Sequence, residues 1–269
     1  MTKINVLKRP ELKKPLFVEG LPGVGNIGRM AVGYMIEALK AEKFADLYSE
    51  HFFPFVMLHE NYQVQMLKNE FYYYKSKKAG GRDLVFLVGD CQSISPHGHY
   101  ELCEAVLDFI YKMGCREIFT IGGIATGELE EKGKTIAAVT DKELMEKYKK
   151  FDVNFDAGKK VGYIVGAAGL LLGIGKEKGM KGVCLLGETS GFPIVTDPKA
   201  AETVLGTLTR ILGIKLDMSK LEDKVKEMEK FIKKVELLQK KALSQITKET
   251  EKAGGVAGPA KEDEQRYIG

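Results

Sequence analysis

Asp83-Leu84-Val85-Phe86-Leu87-Val88-Gly89-Asp90 is the stretch whose reading decides the fold. Its apolar residues are consecutive, so side chains on both faces of an extended chain need cover, and that is the pattern of a strand buried inside a parallel sheet. Downstream, Gly98 to Met113 places Leu102, Val106, Phe109 and Ile110 on one face of a helix, and Glu117 to Ile121 is a second apolar run ending in Gly122-Gly123. Upstream, Pro15 to Glu19 leads through a glycine-rich turn into a helix over about Asn26 to Lys40. Gly182 to Glu188 repeats the strand pattern, and Asp197-Pro198 opens a helix that reaches Leu212, with Asp as cap and Pro in the first turn. Strand and helix alternate along the chain. This predicts an α/β fold, a mostly parallel sheet with helices on both faces.

Between these markers the pattern is looser. Ala45 to Phe53 and Phe55 to Glu60 read as extended, and Tyr62 to Tyr74 reads as a hairpin turning at Lys68-Asn69-Glu70. Asp141 to Lys150 reads as a helix capped by Thr140. Val161 to Gly175 is apolar, with Gly162-x-x-x-Gly166 and Gly169-x-x-x-Gly173 spacing, and reads as a helix pressed closely against the sheet. It is too short to span a bilayer, and the N-terminus has no apolar signal region. Phe52-Phe53-Pro54-Phe55 and Phe71-Tyr72-Tyr73-Tyr74 crowd aromatics that must point both ways from extended chain, so some are expected to face a second layer or a partner.

Residues 1–216 are expected to form one core domain. From Ser219, Leu221, Val225, Met228, Ile232, Val235, Gln239, Ala242 and Ile246 recur at steps of four and three among Lys and Glu, the seam of a heptad-bearing helix over 217–252. It either pairs with another helix or folds back on its own domain. Ala253-Gly254-Gly255 then breaks the helix, and 253–269 are expected to be a flexible tail. The net charge of +4 divides into +3 on Ser219 to Lys252, −1 on the tail and +2 on the rest. A nearly neutral body is a poor electrostatic partner for nucleic acid. Cys91, Cys103, Cys115 and Cys184 lack paired spacing and read as small buried hydrophobes.

Several motifs tempt a chemical reading. Gly23-Val24-Gly25-Asn26-Ile27-Gly28 matches the dinucleotide fingerprint G-x-G-x-x-G, although the turn is lengthened by Gly20-Leu21-Pro22 and no clean second strand carries an acidic partner. A tight strand-to-helix turn is the plainer reading. Glu19, Asp90 and Glu188 stand at strand ends, where carboxylates line the crevice of an open sheet or, more plainly, cap the following helices. Cys91, His97, His99 and Cys103 suggest zinc but lack the spacing of structural sites, and they read as loop histidines and core cysteines. Gly187-Glu188-Thr189-Ser190-Gly191 is not a nucleophile elbow, because its middle position is Thr.

Taken in order, Phe17 to Gly28, Gly89-Asp90-Cys91-Gln92 with Ser95-Pro96, Thr120 to Gly127 and Leu186-Gly187-Glu188-Thr189 resemble the proteasome-assembling chaperone family in its archaeal branch, over most of 15–216. The resemblance implies a nucleoside-phosphorylase-like α/β fold, no catalysis, no cofactor and no metal. It further implies a cytoplasmic homo-oligomer whose partners are the α-ring of the 20S proteasome, further copies of itself and a paralogous chaperone, with no nucleic acid and no membrane. Such activators dock a C-terminal hydrophobic-Tyr-any motif between α-subunits, which here puts partner binding on Arg266, Tyr267, Ile268 and Gly269. The match departs from the pattern, since Tyr267 is third from the end and Arg266 replaces the hydrophobe. The rival is an enzyme or sensor that binds a nucleotide-like small molecule at the strand ends, through Glu19, Asp90 or Glu188.

Overall fold

In the computed structural model the described residues are 1–59, 62–78, 80–125, 135–155, 162–189 and 196–218, with 221, 223, 230, 233–235 and 237–245 beyond them. The strands are β1 (Thr2–Val6), β2 (Leu16–Gly20), β3 (Glu42–Ser49), β4 (Val56–Leu58), β5 (Val64–Met66), β6 (Asn69–Tyr74), β7 (Leu84–Gly89), β8 (Glu117–Ala125), β9 (Thr135–Val139), β10 (Val153–Asn154) and β11 (Lys181–Thr189). The helices are α1 (Ile27–Leu39), α2 (Pro96–Lys112), α3 (Lys142–Tyr148), α4 (Ala167–Glu177) and α5 (Pro198–Leu212).

Nine strands form one mixed sheet in the order β1-β3-β6-β7-β2-β8-β11-β9-β10. The four central strands β7-β2-β8-β11 are mutually parallel. Antiparallel pairing of β6 with β7, of β3 with β6 and of β1 with β3 extends one flank, and β9 runs antiparallel to β11 on the other. The continuous apolar runs are accounted for strand by strand. In β7, Val85 and Leu87 enter the core under α2 and α4, while Leu84, Phe86 and Val88 enter the core under α1 and α5. In β8, Ile118 goes to the first core, Phe119 and Ile121 to the second. A period of two with both faces covered reads as an unbroken hydrophobic word.

Several local expectations change. Lys68-Asn69-Glu70 is no turn: Asn69 is buried in the first residue of β6, which pairs with both β3 and β7. The hairpin lies earlier, with β4 and β5 paired antiparallel. The glycine-rich helix starts only at Ala167, because Gly162 (φ 74°) and Gly166 (φ 80°) take left-handed backbone that an α-helix does not use. Its close approach to the sheet falls at Gly175, where a Cβ would lie 2.7 Å from Ile118 Cδ1, whereas Gly173 faces open space. Thr140 does not cap α3. Asp141 takes that position, and Thr140 Oγ1 instead accepts a bond from the Gly182 amide at 3.0 Å and donates to Asp141 Oδ2 at 2.6 Å. The described residues between 221 and 245 are helical. Of the heptad seam, Leu221 and Val235 are buried, one in each core of the chain's own domain, and Lys234 donates to the Leu58 carbonyl at 3.4 Å. At these two positions the seam is spent on the chain itself. Val225, Met228, Ile232 and Ile246 lie outside the described residues.

Candidate functional site

The glycine fingerprint lies between β2 and α1, at the carboxyl ends of the parallel strands. Its glycines bring backbone against backbone. A Cβ at Gly28 would run into the Ile121 carbonyl oxygen of β8, one at Gly123 into the Val24 carbonyl, and one at Gly20 into the Gly28 carbonyl. Gly25 (φ 64°) turns the chain, and its carbonyl accepts the Asp197 amide at 2.9 Å. Asp197 in turn caps α5 through Ala200 at 2.9 Å. These contacts pack the turn against β8 and tie it to the entry of α5.

Gln92, within the Gly89-Asp90-Cys91-Gln92 motif, fastens this turn to the opposite face. Its Nε2 donates to the Pro22 carbonyl at 2.7 Å and its Oε1 accepts the Ala167 amide at 2.9 Å, the first amide of α4. The motif is a cross-brace between two loops.

The three strand-end carboxylates do not converge, and they are not helix caps. Glu19 points into the core shared with Cys103 and Cys184 and is 1% exposed. Its Oε1 accepts the Leu21 amide at 2.7 Å, while Oε2 has no partner. Burial raises its pKa to about 8, against the pull of the Leu21 and Ile121 amides. Asp90 belongs to the other face, opposite Arg29, and accepts the Lys68 amide at 3.1 Å; burial raises its pKa. Glu188 is half-buried in β11. The caps are Ser95, which accepts the Gly98 amide at 3.1 Å, and Asp197. Beside Asp90, Lys43 and Lys68 each bridge Asp46 and Glu70 at 2.9–3.3 Å, a balanced set of charges on β3 and β6.

All four cysteines are buried and free, and burial pushes the Cys184 thiol up to about 12. Cys91 and Cys103 therefore leave the tempting zinc set, and among the described residues His97 alone of that set lies in a group of metal-ligating side chains, with His51 and Glu101. A cleft of about 750 Å³ opens at the opposite rim, where β2, β7 and β8 begin, lined by Leu16, Leu84, Glu117, Tyr148 and several lysines. Glu117 is held below the usual carboxylate range, despite its burial, by Tyr148 Oη at 2.5 Å, Arg82 and Lys147.

Among the described residues, the surface best suited to a macromolecule is the β4–β5 hairpin. Val56 faces Met66 and Leu58 faces Val64, and all four are exposed at 49–69%. Met57, on the inner face, is 1% exposed. A two-stranded ribbon with its apolar pairs turned outward is placed for contact with another protein. Sequence reading missed it by shifting the turn. The only signal was the alternation Val56, Leu58 and Val64, Met66. Arg266, Tyr267, Ile268 and Gly269 lie outside the described residues.

A model of the PAC2 family matches residues 17–236. The chain belongs to the PAC2 family. As a PAC2 protein it is 35% identical over 258 residues to the uncharacterized protein MJ1210 of Methanocaldococcus jannaschii, covering 96% of this chain and 93% of the relative. Among solved structures it is similar to Pyrococcus furiosus PbaB, described as an archaeal proteasome activator, with 44% identity, a TM-score of 0.79 and coverage of 87% of this chain and 98% of PbaB. Pyrococcus furiosus PbaA, described as an archaeal homolog of proteasome-assembly chaperone, shares the fold with a TM-score of 0.71 at 22% identity, covering 89% of this PAC2 chain and 99% of PbaA. No helix among the described residues is long and apolar enough to cross a membrane.

Proposed function

We propose that this chain is a proteasome assembly chaperone or activator, a cytoplasmic homo-oligomeric scaffold that binds the α-ring of the 20S proteasome through its C-terminal tail. The observation that carries the reading is the 44% identity with PbaB across 98% of that chain. The geometry supports it on two counts. The outward apolar pairs of the β4–β5 hairpin suit contact with a further copy or a paralogous chaperone. The glycine turn packs backbone against backbone at Gly20, Gly28 and Gly123, as suits a rigid frame. In this reading 1–216 is the body, 217–252 the arm, and 253–269 the tail that presents Arg266, Tyr267, Ile268 and Gly269. Several tails on one oligomer gain avidity at a multi-subunit ring.

The test is co-sedimentation of the full chain with 20S particles. Deleting Arg266 to Gly269 weakens association and leaves the oligomer's sedimentation unchanged; binding that survives the deletion overturns tail docking. The rival small-molecule reading rests on Glu19, a buried carboxyl with one unpartnered oxygen at the strand ends. Thermal stabilisation by a nucleoside or dinucleotide, abolished in Glu19→Gln, would promote it.

A further inference from the structure

His97 and Glu101 are four residues apart in the first turns of α2, so their side chains share a face of the helix. His51, two residues beyond β3, lies against the same turn. Its Nε2 is 3.1 Å from Glu101 Oε2, and its ring meets that of His97 at a centroid distance of 5.6 Å and an angle of 81°. One donor atom from each of the three side chains lies within 4.8 Å of the other two. The backbone holds the arrangement in place. The Ile94 amide donates to the His51 carbonyl at 2.9 Å, and the His51 amide donates to Ser49 Oγ at 3.2 Å. Gly98, between His97 and His99, leaves the room that the His51 ring occupies, since a Cβ there would collide with His51 Cβ and Cγ. The other oxygen of Glu101 accepts the Thr2 amide at 2.6 Å, the outer contact that orients a ligating carboxylate.

We propose that His51, His97 and Glu101 form a binding site for a divalent transition-metal ion of the zinc class, and that the bound ion braces the segment entering the β4–β5 hairpin. Two imidazoles and one carboxylate are the donor set of zinc and its neighbours; calcium and magnesium prefer oxygen donors throughout. Tetrahedral zinc with bonds of about 2.0–2.2 Å needs donor atoms about 3.3 Å apart. One pair already stands near that distance and the rest close by side-chain rotation. Three protein ligands leave a position open, and exposed His97 puts it on the solvent side. Ligation would tie three separate pieces together: the β3–β4 connection at His51, the start of α2, and, through Glu101, β1. Phe52, the next residue after His51, is 4% exposed and anchors the hairpin's root, so a clamp at His51 acts directly on that root. None of this depends on what the hairpin contacts.

The test uses untagged full-length protein, stripped with a chelator and titrated with zinc chloride by calorimetry, with metal content read by elemental analysis. One equivalent per chain is expected, with micromolar or tighter affinity and a melting temperature raised by several degrees. His97→Ala and Glu101→Gln each weaken binding at least tenfold, while His59→Ala, in the hairpin connection, leaves it unchanged. Because His97 is exposed, an unchanged far-ultraviolet spectrum certifies the fold of its variant. No saturable binding, or binding that survives both His97→Ala and Glu101→Gln, overturns the site. Hydrogen exchange across 52–58 slows when zinc is bound; exchange that stays the same while zinc binds overturns the bracing role.

Discussion

The junction of β2, α1 and β8 and the β4–β5 hairpin follow opposite packing rules within one chain. At the junction, glycines remove side chains so that backbone touches backbone, and even the carboxyl of Glu19 is sealed from water. In the hairpin, large apolar side chains stand in water on the outer face while Met57 and its cross-strand partner Gln65 turn inward. A junction of the first kind tolerates no added atom, because its neighbours are main-chain groups that cannot swing aside. Among the described residues, the outer side chains of the second kind of ribbon remain largely in water, and apolar surface of that sort suits contact with another molecule. Rigidity and adhesiveness are divided between the two regions.

That division is open to attack from both sides. Gly28→Ala should cost about 3 kcal/mol or more, since the new methyl meets the Ile121 carbonyl, and denaturant unfolding would measure it. A loss under about 1 kcal/mol would mean that the junction can relax. The sealed Glu19 predicts a pH dependence. Its folded pKa of about 8 exceeds the ordinary 4.5, so the folded state holds the extra proton between those values. Stability is therefore highest at the acid end and falls as pH rises from 5 to 8, on the order of 3 to 4 kcal/mol from this group. Glu19→Gln should flatten that slope in melting curves taken across the range, and a slope that persists would place its origin elsewhere.

The hairpin responds differently. Leu58→Lys combined with Val64→Glu keeps opposite charges across the ribbon and should change unfolding stability by no more than about 0.5 kcal/mol. Under the proposed scaffold the same pair weakens self-association about tenfold in analytical ultracentrifugation. A variant that unfolds instead would show that the outer face packs within its own subunit. Gln92→Ala unfastens the cross-brace and leaves the Pro22 carbonyl and the Ala167 amide unpaired, for a cost of about 1 kcal/mol in thermal unfolding. At the small end, Gly173→Ala, with open space around it in α4, should stabilise by about 0.5 kcal/mol through helix propensity. Set beside Gly28→Ala, it shows whether the surroundings or the residue type decides what a glycine does.

The central strands and α1, α2 and α5 were legible because burial on both sides of a parallel sheet leaves continuous apolar runs, because Leu102, Val106, Phe109 and Ile110 recur on one face, and because Asp197-Pro198 marks a helix start locally. The Ser95 cap, which starts α2 at Pro96 rather than Gly98, was not read. The flank was not legible. Lys68-Asn69-Glu70 carries ordinary turn chemistry, and only the pairing of β6 with both β3 and β7 overrides it. The strand-end acids were legible as residues but not in their roles. Glu19 and Asp90 point to opposite faces of the sheet, and neither caps a helix. His97 was visible in the sequence, but His51, 46 positions away, joins it only through the β3–β4 connection and the gap at Gly98.

By itself the sequence determined the α/β class, the parallel centre, the buried thiols and the ordered motifs of the family, since each is written in local periodicity and composition. Tertiary structure alone decided which atoms meet the glycines, where the hairpin turns, and that two seam residues of the arm pack on the chain's own cores. Those outcomes depend on contacts between residues far apart in the chain, and the free energy of such contacts is set by what each group meets after folding rather than by its neighbours in sequence.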